Sequence, residues 1–212
     1  MGKQRRKDAA RARYARRERW RGFAWKVGIG AAIAVLAILG LRAAGVFEPP
    51  PAAIDLNASA NRVAAGATIG TQAPSQGNAH IPTGQKASYN TVPPTSGDHW
   101  NQSGVAPAPW GIKDSTLPNE VTTHNLEHGG IVIAYSQTLA PDEVTKLKSV
   151  VRGLMGAGFP KMILEPYPLT DAKVTLTAWT WILKLQSYDE SQIVKFTRAH
   201  YRGPDAPEPD GF

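Results

Sequence analysis

The segment His124-Asn-Leu-Glu-His128-Gly-Gly-Ile-Val-Ile-Ala-Tyr135 sets two imidazoles and a carboxylate within five residues. A glycine pair and a β-branched apolar run follow at once. With His80 and His99 upstream, four of the five histidines precede that run or sit at its mouth. Imidazoles with a carboxylate suit Zn²⁺, Cu²⁺ or non-haem Fe²⁺, whereas Ca²⁺ and Mg²⁺ prefer oxygen ligands alone. On a helix, the spacing of four puts His124 and His128 on one face with Glu127 beside them. On a strand the two histidines share a face and Glu127 points away. Either geometry lets two rings converge on one cation. The predicted metal set is therefore His124, His128, His99, His80 and Glu127, with zinc or copper as the ion and Glu127 as ligand or support. Given metal–nitrogen bonds near 2 Å, at least three of the histidines should bring nitrogens within about 4 Å of one another.

His-x-x-Glu-His also matches the inverted zinc-protease signature, in which the glutamate is the general base. That chemistry needs a long helix, and Gly129-Gly130 with a strand behind leaves room for one helical turn at most. A metal-dependent hydrolase therefore ranks third. The second reading is a non-catalytic interaction domain whose histidines only fix a loop, by capping a turn or donating to a carbonyl. The absence of cysteine excludes disulfides, thiolate metal sites and thiol catalysis. Glycine-rich phosphate loops and Gly-x-Ser-x-Gly elbows are missing, and Met155 and Met162 are too few for a thioether copper site. Trp179 and Trp181 read as core and rim residues.

These residues need elements to position them. Ile131–Ala134 reads as a buried strand. Pro141 opens a helix carrying Val144, Leu147, Val150, Val151 and Leu154 at helical spacing, closed by Gly156 and Gly158. Lys161–Pro166 is a short strand, Lys173–Lys184 an alternating one, and Asp189–Tyr201 a second helix ended by Gly203-Pro204. Residues 80–111, dense in Pro, Gly, Ser and Thr yet holding His80, Tyr89, His99, Trp100 and Trp110, read as an ordered irregular loop. The acidic, proline-rich end reads as loose. The predicted fold is α+β, a small mixed or antiparallel sheet with two helices on one face, spanning residues 77–212.

The net charge of +7 divides unevenly. Residues 1–26 carry eleven Lys/Arg against Asp8 and Glu18, whereas the remainder carries thirteen against fifteen acids. Clustered basic residues can neutralise nucleic-acid phosphates, or can flank a membrane helix on its cytosolic side. The uninterrupted apolar run Val27–Leu41, with Ile33, Leu36 and Leu39 inside it, decides for the membrane and against a nucleic-acid partner. Extended to 22–47, it reaches the roughly 20 residues that span a bilayer. A cleaved signal peptide competes, with Ala43-Ala44-Gly45 as cleavage site; the long basic region ahead favours an uncleaved anchor. The expected order is a basic cytoplasmic tail (1–21), a transmembrane anchor (22–47), a flexible linker (48–76) and an extracytoplasmic domain (77–212). The lipid bilayer is then a partner, and another membrane or envelope protein a candidate one.

Several motifs occur together in one order: His80-Ile-Pro, Tyr89-x-Thr-x-Pro-Pro-Thr-Ser-Gly-x-His99, His124-Asn-Leu-Glu-His128-Gly-Gly-x-Val-Ile, Thr177-Ala-Trp179 and Gly203-Pro204. In these the chain resembles Domain of Unknown Function 3105, bacterial proteins with an N-terminal membrane anchor and an extracytoplasmic domain. Gly111-Ile112-Lys113 departs from the Gly-x-Tyr common in that family. The resemblance implies the topology above and a shared site for the histidines, and brings no activity with it.

Overall fold

The computed structural model describes residues 48–211 together with Trp20, Trp25 and Val35, which are helical. The basic tail and the expected anchor, including Val27, Ile33, Leu36, Leu39 and Leu41, lie outside the described residues apart from those three. Among the described residues no helix is long and apolar enough to cross a membrane. The chain divides into two units, Met1–Glu48 and Pro49–Phe212, and the second carries everything that follows.

Its centre is the strand Ile131–Tyr135 (β5, counting the short strands before it). Fully apolar and paired on both edges, it runs parallel to Met162–Pro166 (β6) and antiparallel to Val174–Ala178 (β7). The sheet is completed by Thr71–Gln72 (β1), Gly111–Ile112 (β4) and Trp181–Leu185 (β8), in the order β1-β8-β7-β5-β6-β4. With β4, β5 and β6 parallel and the other pairings antiparallel, the sheet is mixed. The predicted single strand 173–184 is instead a β7–β8 hairpin. Its reversal falls at Trp179-Thr180, with Thr180 at φ 63°, a left-handed conformation unusual for a β-branched residue. Alternation along the run is the same before and after the turn, which is why it reads as one strand.

Period-two alternation divides the core. Ile131, Ile133, Met162, Leu164, Val174 and Leu176 face Pro141–Gly156 (α2) and Glu190–His200 (α3), which bury Leu147, Val150, Val151, Leu154, Ile193 and Phe196 against them. These are the two helices expected on one face. Asn119–Glu127 (α1) was not expected. It covers the opposite face, where Val121 and Leu126 meet Val132, Ile163, Trp100 and Trp179. The His-x-x-Glu-His segment therefore ends a nine-residue helix, longer than the single turn the glycine pair implied.

Two further expectations are corrected. Of the stretch read as a flexible linker from residue 48 to 76, residues 49–76 belong to the compact unit, as a strap. Ser149 and Arg152 of α2 donate to the carbonyls of Pro50 and Pro49, Arg198 of α3 donates to that of Asn61, and Ile54, Leu56 and Ile69 pack on the core. The C-terminal end, read as loose, folds back over the end of α1. Arg202 N–H donates to Gly129 O (2.9 Å), Glu208 N–H to Glu127 O (3.0 Å), and the buried Lys161 ammonium to the carbonyls of His128, Pro209 and Gly211.

Candidate metal centre

His80–Ile81 (β2) and His99–Trp100 (β3) pair in parallel, with His80 in register with His99. This two-stranded ribbon lies across α1, which supplies His124 and, one turn on, Glu127. Oε2 of the buried Glu127 has three imidazole nitrogens around it: His99 Nε2 at 2.8 Å, His80 Nε2 at 3.5 Å and His124 Nε2 at 3.9 Å. One donor atom from each of the four residues lies within 4.8 Å of the others. That spread is wider than the 4 Å expected and wider than the roughly 3.3 Å between ligands of a tetrahedral ion with bonds near 2 Å. Contraction is easiest at His80, whose side chain is 46% exposed and whose strand is two residues long, whereas His99 is fully buried.

The outer nitrogen of each ring is occupied elsewhere. His99 Nδ1 is 2.9 Å from Gly97 O and His124 Nδ1 is 2.6 Å from Trp100 O. A carbonyl only accepts, so both Nδ1 atoms carry the proton, and His124 turns the lone pair of Nε2 inward. The side-chain amide of Asn101 lies 3.2 Å from His80 Nδ1, which also leaves Nε2 facing inward. Asn78 Nδ2 donates to Glu127 Oε1 (2.8 Å) and fixes the carboxylate. Ring N–H groups that donate to backbone carbonyls, as at His99 and His124, are how proteins orient imidazoles on a metal; at His80 the Asn101 amide has to turn its oxygen to Nδ1 to do the same.

Burial pulls the His124 imidazole down to about 4, against the opposing carbonyl of Trp100, so the ring is neutral at pH 7. Glu127 behaves differently. Burial alone would raise its carboxyl, but hydrogen bonds from His99 and Asn78, with His80 beside them, outweigh burial and hold it at about 2.

Of the predicted set, the fold gathers His80, His99, His124 and Glu127 and leaves His128 out. His128 is the residue that caps α1; its ring stacks on that of His124 at 4.8 Å between centroids, and its Nδ1 lies 3.4 Å from Glu208 Oε2 under the C-terminal segment. Because the helix stops at Glu127, His128 ends as packing behind the cluster. The inverted-protease reading, which needs both histidines of the motif on the ion, does not fit this geometry. Two contributors were missed in the sequence. Asn78 lies two residues before His80, the spacing that keeps side chains on one side of an extended chain. Trp179 meets the His99 ring edge to face at 6.4 Å.

A family model described as "Protein of unknown function (DUF3105)" matches residues 80–211, which hold all four gathered residues. No curated protein and no solved structure matches the chain.

Proposed function

Starting from a chain that belongs to the DUF3105 family, we propose that its folded unit binds a divalent transition metal, zinc or copper, through His80, His99, His124 and Glu127. One observation carries this reading: three Nε2 atoms surround a single carboxylate oxygen, while the Nδ1 atoms of His99 and His124 are tied to backbone carbonyls. A donor set of imidazole nitrogen and one carboxylate, without thiolate, fits Zn²⁺ or Cu²⁺. When bound, such an ion supplies a Lewis-acidic centre. The chain's own part is to orient the rings, to keep the carboxylate ionised, and to leave solvent access on the side of His80. As general base Glu127 is poorly suited, since a carboxyl held near 2 and bonded on both oxygens has little appetite for a proton. Binding or handling of the metal is therefore preferred to hydrolysis.

The basic segment 1–26 followed by the apolar run Val27–Leu41 supports a plasma-membrane anchor, with the N-terminus cytoplasmic and the folded unit outside. A second reading rests on the His99–Glu127 contact itself. A buried histidine bonded to both a carbonyl and a carboxylate can lock β3 to α1 without any ion, which suits a structural accessory domain of a membrane or envelope complex.

Calorimetric titration of the full-length protein in maltoside detergent, after chelator treatment, separates the two. Zn²⁺ or Cu²⁺ should bind at micromolar or tighter affinity and Mg²⁺ should not, and His124→Ala and Glu127→Gln should each weaken binding at least about tenfold. A folded protein that takes up neither metal below millimolar concentration would leave only the structural reading standing.

A further inference from the structure

Away from the histidine cluster, two cavities flank Asp205. One, of about 230 Å³, is walled by Ile69, Trp179, Trp181 and His200. The other, of about 450 Å³, shares Trp179 and Asp205 with the first and adds Gln72, Ser75 and Thr180. The aromatic wall is fixed from behind: the Trp181 indole stacks on the His200 ring at 4.5 Å and 27°, and that ring packs on Phe196 at 4.6 Å. Trp181 Nε1 donates to Asp205 Oδ2 at 2.7 Å, which holds the exposed carboxylate at this wall. His200 Nε2 lies 2.7 Å from the Ile69 carbonyl, and burial keeps the ring below the ordinary histidine range, hence neutral. Among the described residues no lysine or arginine lines either cavity, and Asp205 supplies the only charge there.

An aromatic wall beside a lone carboxylate selects by charge and by hydration. The carboxylate repels anions, and indole surfaces cannot replace the water shell of a compact metal ion or of ammonium. A cation whose charge is spread over alkyl groups meets both conditions, and recognition of quaternary ammonium by aromatic side chains rests on this chemistry. We propose that the smaller cavity binds a small alkylated ammonium group of the choline type, with its charge against Trp179, Trp181 and Asp205. A hydroxyl-bearing substituent would extend into the neighbouring cavity, toward Gln72 and Ser75.

Equilibrium dialysis of labelled choline against the full-length protein in maltoside tests this, and doing it in EDTA keeps the outcome separate from the metal reading. Choline should be retained and should be displaced by tetramethylammonium. The uncharged isostere of choline, with carbon in place of nitrogen, should compete at least about tenfold less well. Asp205→Asn, at an exposed position, should leave the melting temperature unchanged and weaken retention by a similar factor, and Trp181→Leu should weaken it further. Glycerophosphocholine competing as well as choline assigns the group to a lipid headgroup, and its failure to compete assigns it to a free solute; both support the site. Absence of retention at millimolar choline, equal competition by the uncharged isostere, or an Asp205→Asn variant that binds as wild type would each overturn it.

Discussion

Glu127 and His99 meet at 2.8 Å through Oε2 and Nε2 while His99 Nδ1 is committed to the Gly97 carbonyl. Both ring nitrogens of His99 are thus engaged inside the folded unit, one by the carbonyl and one by the carboxylate. His99→Ala unties Glu127 and the Gly97 carbonyl together, so in chelator it should lower the denaturant midpoint, and an unchanged midpoint would contradict it. The neighbouring His124 makes a second prediction, for the metal-free protein in chelator. Its folded value, about 4, lies below its ordinary one, so the unfolded chain binds the extra proton first as pH falls. Stability from this ring is complete above pH 6.5 and is lost between pH 6.5 and 4; Glu127, also depressed, adds a loss below about pH 4.5. Wild type minus His124→Gln should therefore gain stability as pH rises from 4 to 6.5, by at most about 3 kcal/mol; a flat difference in denaturant midpoints would contradict it. At this scale the sequence made His80, His99, His124 and Glu127 legible, because so few residue types chelate. What it hid was the end of α1, which leaves His128 outside the cluster, and the carbonyls of Gly97 and Trp100, which no residue type announces.

Opposite signs of pH dependence are built into the elements that hold the cluster. Glu165, on β6 beneath the α1 face, is 1% exposed and its Oε2 accepts from the Leu117 N–H at 2.6 Å. Burial raises it to about 7 against that bond and the Lys113 charge. A raised carboxyl favours the fold while protonated, so its contribution is present below about pH 4.5 and lost as pH rises through 7. This runs against His124 in nearly the same window. Glu165→Gln, which keeps the carbonyl for Leu117, should be more stable than wild type at pH 8, by at most about 3 kcal/mol, and should show a steeper rise of stability between pH 4 and 6.5. Equal melting temperatures of the two proteins at pH 8 would refute it. The elements carrying strong periodicity (α2, α3, β5 and β6) were readable, since each buries one apolar stripe or a continuous apolar run. α1 was not, for a physical reason: its buried positions include Glu120, Thr122, Thr123, His124, Asn125 and Glu127, so its inner face is polar and bonded to irregular chain and to the two-residue strand β3. Hydrophobic periodicity cannot report a helix that packs by hydrogen bonds.

At the scale of the whole folded unit, the boundary is set by the strap that precedes β1. Its apolar residues Ile54, Leu56 and Ile69 are too few to sustain a period, which is why composition marks it as spacer; they find their partners only in the assembled core. The contact that fixes it most sharply is at Gly153 in α2, where a β-carbon would overlap the Ala52 carbonyl and the Ile54 side chain. Alanine inside a helix ordinarily stabilises it over glycine by about 1 kcal/mol. Gly153→Ala in the full-length protein should do the reverse, costing about 1–3 kcal/mol as the strap is pushed off the helix. A chain beginning at Gly77 lacks the strap and β1, and loses the cover of three aliphatic side chains, so it should unfold at least about 2 kcal/mol more easily. In that shortened chain nothing opposes the new methyl group, and Gly153→Ala should recover its helix-propensity gain. The sign of the substitution therefore reverses with the presence of residues 49–76. The same sign in both chains, measured by urea unfolding of each pair, would mean that the strap is not held against α2 in solution and that the stable unit begins where composition places it.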